Sequence, residues 1–285
     1  MGWPLASIPA SAGEGLFSRV YTTDTTPAGH YEVEEIIRQR EGRAYGSYNA
    51  TDLDTEVEYG VTDKFQVAGY LNMTRMDAKN APDDDDPNGV TGFTRNNFAV
   101  QSIAGEFIYR FFSPYETDGW GLAAYVEPAY MFHDQHNGLR YGGGTFEGET
   151  RLMLQKNFLD DRLILAYNLI LEFETIKFAG DPDRNSELDW NNEFGVSYRF
   201  ASNWFGGLEF RNHNEYGNFD THEHSVFWVG PVLHYGGERF WATLGWLRQV
   251  AGNPGHDEDG NYIGGNLFLR SHELNEVTFK VGVPF

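Results

Sequence analysis

Polar and apolar residues alternate along most of the chain. Leu53, Thr55, Val57, Tyr59 and Val61 share one side of their stretch, and Asp52, Asp54, Glu56, Glu58 and Gly60 share the other. After the turn at 62–64, Phe65, Val67, Gly69, Leu71 and Met73 stand against Gln66, Ala68, Tyr70 and Asn72. A period of two places successive side chains on opposite faces of a strand. The same pattern predicts strands at about 30–39, 98–111, 120–132, 145–158, 162–176, 187–200, 204–213, 223–235, 240–250 and 272–285, twelve in all. In 225–235, Phe227, Val229, Pro231, Leu233 and Tyr235 take one face and Trp228 and His234 the other, whereas in 240–249 both faces are apolar or small. No helical period interrupts the series, so there is no domain boundary within it.

The connections are of two alternating kinds. Those at 62–64, 113–119, 159–161, 201–203 and 236–239 are short; those near 77–97, 133–144, 177–186, 214–222 and 251–271 are long and polar. Phe65, Trp120, Trp204 and Phe240 open strands after short turns, and Tyr59, Phe111, Phe158, Phe200 and Tyr235 close the strands before them. Amphipathic rings favour a membrane–water interface. Short turns on one rim, long loops on the other and an aromatic belt describe an all-β protein: a single closed antiparallel transmembrane β-barrel of about 12 strands, with short periplasmic turns and long extracellular loops. The barrel occupies 29–285, and 1–28 forms a leader remnant or a periplasmic N-terminal segment. The expected location is the bacterial outer membrane. Closure also accounts for the last strand, where Val277, Phe279, Val281, Val283 and Phe285 are apolar at every second position. Paired with the first strand and covered by lipid, that strand is no longer an exposed edge.

Composition sharpens this picture. There are 42 acidic against 21 basic residues, a balance that argues against binding to nucleic-acid phosphates. No cysteine is present, so disulfides and thiolate metal sites are absent, as suits passage through an oxidising compartment. Aromatics at 16% and 33 glycines fit many strands with tight turns. The apolar run 163–173 is broken by Asn168 and Glu172, too short for a spanning helix, and the mean hydropathy is −0.51. Near the N-terminus Ala10, Ser11 and Ala12 form a small-x-small site like those cut by signal peptidase, but without a basic region or a true apolar core before it.

The alternation ending in Phe285 resembles the terminal strand of Gram-negative outer-membrane proteins, whose last aromatic is read by the barrel-assembly machinery. The stretches 20–35, 55–72 and 229–247 resemble a loosely characterised group of outer-membrane barrels classed as transporters. That resemblance implies a barrel contacting outer-membrane lipid and lipopolysaccharide. It implies neither a substrate nor catalytic residues.

Function must then reside in the lumen and loops. The inward positions include Asp52, Asp54, Glu56, Glu58, Glu127, Glu147, Glu149, Glu172, Glu174, Asp189, Glu193 and Glu209, with Arg38, Arg40, Arg151, Arg199, Arg211 and Lys280 among the basic ones. Barrels of about eight strands fill with side chains and those of about sixteen hold an aqueous channel, so twelve predict a narrow, partly occluded pore. Carboxylates lining such a pore favour cations. The expectation is a porin-like diffusion channel for small cationic or neutral solutes. The alternative is a non-conducting structural barrel whose acids and arginines form a salt-bridged lumen.

A barrel hydrolase of the phospholipase type is a further rival, requiring a His within reach of a Ser. His133 and His136, beside Asn137 and Gly138, have no Ser nearby; Ser225 adjoins His224 but points to the opposite face. A loop-acid hydrolase pairing Asp134 with His213 has no spacing rule behind it. Enzymatic activity and cofactors are therefore not expected. The metal candidates are Asp83, Asp84, Asp85 and Asp86, four successive carboxylates suited to a loop-bound Ca²⁺ or Mg²⁺, and Asp257, Asp259 and Gly260, a fragment of a calcium loop. His222 and His224, at i and i+2 on one expected face, form a potential transition-metal pair. The segment 15–30 is too polar for lipid, and is expected to cross the periplasmic mouth or enter the lumen as a plug.

Overall fold

The computed structural model describes residues 15–82, 92–253 and 266–285. Twelve strands follow in order: β1 (Tyr31–Glu41), β2 (Ser47–Thr62), β3 (Phe65–Ala81), β4 (Phe93–Phe112), β5 (Trp120–Met131), β6 (Phe146–Phe158), β7 (Leu163–Ile176), β8 (Asn185–Ala201), β9 (Trp204–Gly217), β10 (Thr221–Gly236), β11 (Trp241–Asn253) and β12 (Asn275–Pro284). Each pairs antiparallel with its neighbours in the chain. β12 closes the cylinder on β1, with Val33 opposite Val283 and Ile37 opposite Phe279. Every ladder then has a partner, as a wall in hydrocarbon requires.

The alternation sets the two faces. Val57, Leu71, Phe107, Val126, Leu152, Phe173, Phe194, Leu208, Leu244 and Phe279 are exposed and point outward. Asp52, Glu56, Glu58, Glu106, Glu193, Glu209, Glu276 and Lys280 are buried and point inward. In β11 the undecided pattern resolves with Trp241, Thr243 and Leu247 inward and Leu244 and Trp246 outward. The short-turn rim carries ring pairs in contact: Tyr31 with Tyr59, Tyr109 with Phe111, and Trp204 with Tyr235.

Some strands run further than alternation predicts. β4 begins at Phe93, and β9 continues to Gly217, so the connection expected over 214–222 shrinks to 218–220. Asn218 and Phe219 turn it with positive φ of 52° and 67°. Several outward residues along β7 to β9 are polar and bond to one another. The Tyr167 hydroxyl donates to Asn192 at 2.7 Å, Asn192 Nδ2 to Asn212 at 3.2 Å, and Asn214 Nδ2 to Asn212 at 2.9 Å. Backbone pairing does not depend on an apolar face, so the ladder continues where the alternation stops.

Residues 15–28 enter the barrel. The segment leaves the short-turn rim where Thr26 N donates to Gln66 (2.7 Å) and Thr26 Oγ1 to Glu58 (2.5 Å). It crosses Gln155 through Thr23 N (2.8 Å), rises to Asn168 through Tyr21 N (2.7 Å), and descends to Gly15, whose carbonyl accepts from Thr243. It is therefore an arch, with Arg19 and Tyr21 near its crest. Phe17 fills the space over Gly195, where a Cβ would lie 2.6 Å from the ring. Burial of that ring contributes roughly 2 kcal/mol.

Candidate functional site

Above the arch lies a cavity of about 340 Å³. Arg19 and Tyr21 belong to its lining, whereas Glu58, Gln66 and Gln155 beneath them do not, so the space ends at the arch. Its upper wall includes His136 from the connection between β5 and β6, and His272 and Glu273 from the segment before β12.

The inward alternation stacks charge in tiers. The lowest tier serves the arch. Glu209 accepts from the backbone N–H groups of Ser18 (3.0 Å), Arg19 (2.9 Å) and Val20 (3.2 Å), and from the Ser18 hydroxyl. A carboxylate gathering several backbone donors makes charge-assisted bonds of the stronger kind. Nearby, Lys280 Nζ lies 3.1 Å from Glu34.

The middle tier is built from arginine. Arg19 Nε donates to Glu276 at 2.7 Å. Arg38 and Arg211 stand 3.9 and 3.7 Å from the same carboxylate. Arg40 makes a forked pair with Asp52 at 2.7 and 2.9 Å, Arg38 reaches Asp54 at 3.5 Å, and Arg151 binds Glu149 and reaches Glu193 at 3.5 Å. The Arg151 guanidinium also lies 4.3 Å from the Tyr21 ring.

The upper tier is acidic and lies mostly on one side. Glu127, Glu147, Glu172, Glu174, Glu187, Asp189 and Glu215, from β5 to β9, all line the cavity. One carboxylate oxygen each from Glu147, Glu172 and Glu174 falls within 4.8 Å of the others, a set able to hold a hard cation through oxygen.

The lumen residues named from sequence thus separate into groups. Asp52, Asp54, Glu127, Glu147, Glu149, Arg151, Glu172, Glu174, Asp189, Glu193 and Arg211 line the cavity. Glu56, Glu58 and Glu209 are buried lower down, outside that lining. Arg199 sits at the short-turn rim, donating to the Asp160 carbonyl at 3.3 Å. Asp83, Asp84, Asp85 and Asp86, like Asp257, Asp259 and Gly260, lie outside the described residues.

Two expectations for histidine are corrected. A β-bulge between His222 and His224 breaks the parity of β10: His222 is exposed on the outer face, while Glu223 lines the cavity and His224 is buried. They do not form a pair. The bulge instead brings His222 Nε2 to 2.9 Å from Ser225 Oγ, a contact that adjacent-residue reasoning about Ser225 missed. Ser225 Oγ also donates to Asn214 Oδ1 at 2.7 Å, and no acid orients the imidazole in the described contacts. Asp134 is occupied within its own loop, accepting from the backbone of His136 and Asn137 and from the Tyr141 hydroxyl. Burial holds the His136 imidazole below its ordinary range, and burial together with Asp134 raises the Tyr141 phenol well above its own.

A family model described as "Family of unknown function (DUF6662)" matches residues 9–285. No curated protein matches the chain. Among solved structures it is similar to the COG4313 outer membrane channel from Pseudomonas putida F1, with 10% identity and a TM-score of 0.60, covering 92% of this chain and 98% of that one. It is also similar to the β domain of the Bordetella autotransporter BrkA, with 12% identity and a TM-score of 0.52, covering 90% of this chain and all of that one (100%). At these identities the likeness is one of fold. It agrees with the closed wall, apolar exterior and aromatic rim in making this chain a bacterial outer-membrane β-barrel.

Proposed function

The chain belongs to the DUF6662 family of unknown function, and we propose that it is an outer-membrane channel, closed on the periplasmic side by its own N-terminal arch, that gathers small cationic or neutral solutes in an acidic vestibule. The observation that carries this reading is the wall of carboxylates from Glu127 to Glu215 above the arginine tier. Charges in a confined lumen act on a passing ion with little screening, and a surplus of carboxylate favours cations. The fold likeness to a Pseudomonas putida outer membrane channel is consistent with the reading. Passage requires the arch to shift, because the vestibule ends on Arg19 and Tyr21.

A second reading, a barrel that stays shut, draws support from the paired middle tier. Arg19, Arg38 and Arg211 all converge on Glu276 and tie the arch to the wall. Planar-bilayer recordings under a salt gradient separate the two. The channel predicts a reversal potential of cation-selective sign that moves toward zero when Glu147, Glu172 and Glu174 are all replaced by Gln. A protein that inserts folded and yet carries no current, even when Arg19 is replaced by Ala, overturns the channel.

A further inference from the structure

The upper tier ends in a cluster of different chemistry from the rest of the lumen. His213 and Glu215 project from β9, His224 from β10 beside the bulge, and His272 from the segment before β12. One ligand atom from each falls within 4.8 Å of the other three. His224 Nε2 and His272 Nε2 are 2.7 Å apart, Glu215 Oε2 is 3.5 Å from His224 Nε2, and it is 3.7 Å from His213 Nε2. In a tetrahedral site with metal–ligand distances near those of zinc, donor atoms stand roughly 3.3 Å apart, within the spread found here.

His213 supplies the independent observation. It is only 5% exposed, and among the described residues neither ring nitrogen has a hydrogen-bond partner. A buried polar group left in that state is costly, and native interiors rarely leave one so. Its Nε2 faces Glu215, and its Nδ1 lies 3.8 Å from Asp189 Oδ2. Asp189, although short of a hydrogen bond at this distance, stands on the side of the ring from which a carboxylate steadies an imidazole ligand in metal sites. The apolar side is closed by Phe268, stacked on His224 with ring centres 4.2 Å apart, and by Trp228, edge-on to His272 at 5.4 Å.

We propose that His213, His224, His272 and Glu215 form a binding site for a divalent transition-metal ion of the zinc type at the inner face of the outer vestibule. Three imidazoles and one carboxylate suit a borderline-soft ion and discriminate against Ca²⁺ and Mg²⁺, which prefer oxygen. His213, Glu215 and His272 line the cavity, so the ion enters from the vestibule. Because His272 belongs to the segment before β12 and the other three to the wall, a bound ion fastens that segment over the lumen.

The test uses the full chain without an affinity tag, folded in detergent and stripped with chelator, titrated with Zn²⁺ by calorimetry. One equivalent should bind, undisturbed by excess Ca²⁺, and Co²⁺ in its place should show the absorption of a tetrahedral nitrogen–oxygen site. His213→Ala should abolish that equivalent, Asp189→Asn should weaken it roughly 10- to 100-fold, and His222→Ala should leave it unchanged. Heat-dependent gel mobility verifies that each variant is folded, and the Co²⁺ spectrum of the unaltered chain decides the matter if His213→Ala does not fold. Absence of one-equivalent binding by the unaltered chain, a Co²⁺ spectrum without tetrahedral character, or folded His213→Ala binding as well as the parent each overturns the proposal.

Discussion

Arg19 Nε donates to Glu276 Oε1 at 2.7 Å, joining the segment that precedes the first strand to the strand that closes the barrel. Glu276 is also within 4 Å of Arg38 and Arg211, so it serves three cations while Arg19 depends chiefly on this one acid. The two partners are therefore unequal. Glu276→Ala should lower the unfolding free energy by about 3–5 kcal/mol, since it leaves converging arginines short of counter-charge. Arg19→Ala should cost clearly less, because Glu276 keeps two partners. Denaturant titration of the folded protein in detergent checks this; equal losses for the two variants would contradict the arrangement.

The arch can be locked by covalent chemistry. A Cβ at Gly121 would lie 3.1 Å from Thr23 Cβ, a few tenths of an ångström inside the usual span for a disulfide. The chain has no cysteine of its own, so Thr23→Cys with Gly121→Cys makes a clean pair. If conduction requires the arch to move, the oxidised pair should be silent in bilayers and regain current on reduction. Current that ignores the redox state would show that ions bypass the arch.

Near the short-turn rim, burial pushes the Asp24 carboxyl up from 3.8 to about 6, opposed by its hydrogen bond from Thr22. A carboxyl whose pKa is higher in the folded state favours that state while protonated. Its contribution is full below about pH 4 and is lost as pH rises through about 6. Amide exchange in the arch should therefore quicken between those limits. Asp24→Asn should flatten the dependence, and an unaltered pH profile in that variant would refute the assignment.

Glu35 breaks the outer pattern. It points outward between Val33 and Ile37, and its carboxylate accepts a hydrogen bond from Thr55 Oγ1 at 2.8 Å. A charge facing hydrocarbon costs stability, less for Glu than for Lys or Arg. Glu35→Val should raise the unfolding free energy in lipid vesicles by on the order of 1 kcal/mol. A loss instead would mean that the bond to Thr55 matters more than the lipid contact.

The wall was legible in the sequence because one physical demand, hydrocarbon outside and water or ions inside, acts on every second residue. Val57 beside Glu58, or Phe279 beside Lys280, declares its side without reference to anything distant. The upper end of β9 was not legible because Asn212 and Asn214 face outward and satisfy each other and Asn192 by side-chain hydrogen bonds, so the apolar alternation vanished while the pairing continued. His222 and His224 failed differently. Parity counting assumes an unbroken ladder, and one extra residue at Glu223 reverses it. The meeting of His213 with His272 depends on how the segment before β12 folds back over the wall, which local pattern does not encode. The polarity of 15–30 did point to the mouth or lumen, where Thr23 and Thr26 meet Gln155, Gln66 and Glu58, but not to the arched path.

The arch begins and ends on the same side of its crest, with Thr26 near the rim at Gln66 and Gly15 returning to Thr243. Over the described residues 15–28 it is tucked in, not threaded through. Among the described residues nothing in the wall has to part for 15–28 to be withdrawn, so a pull from the periplasm would peel away its contacts with Glu209, Asn168 and Gln155 a few at a time and leave a hollow cylinder standing.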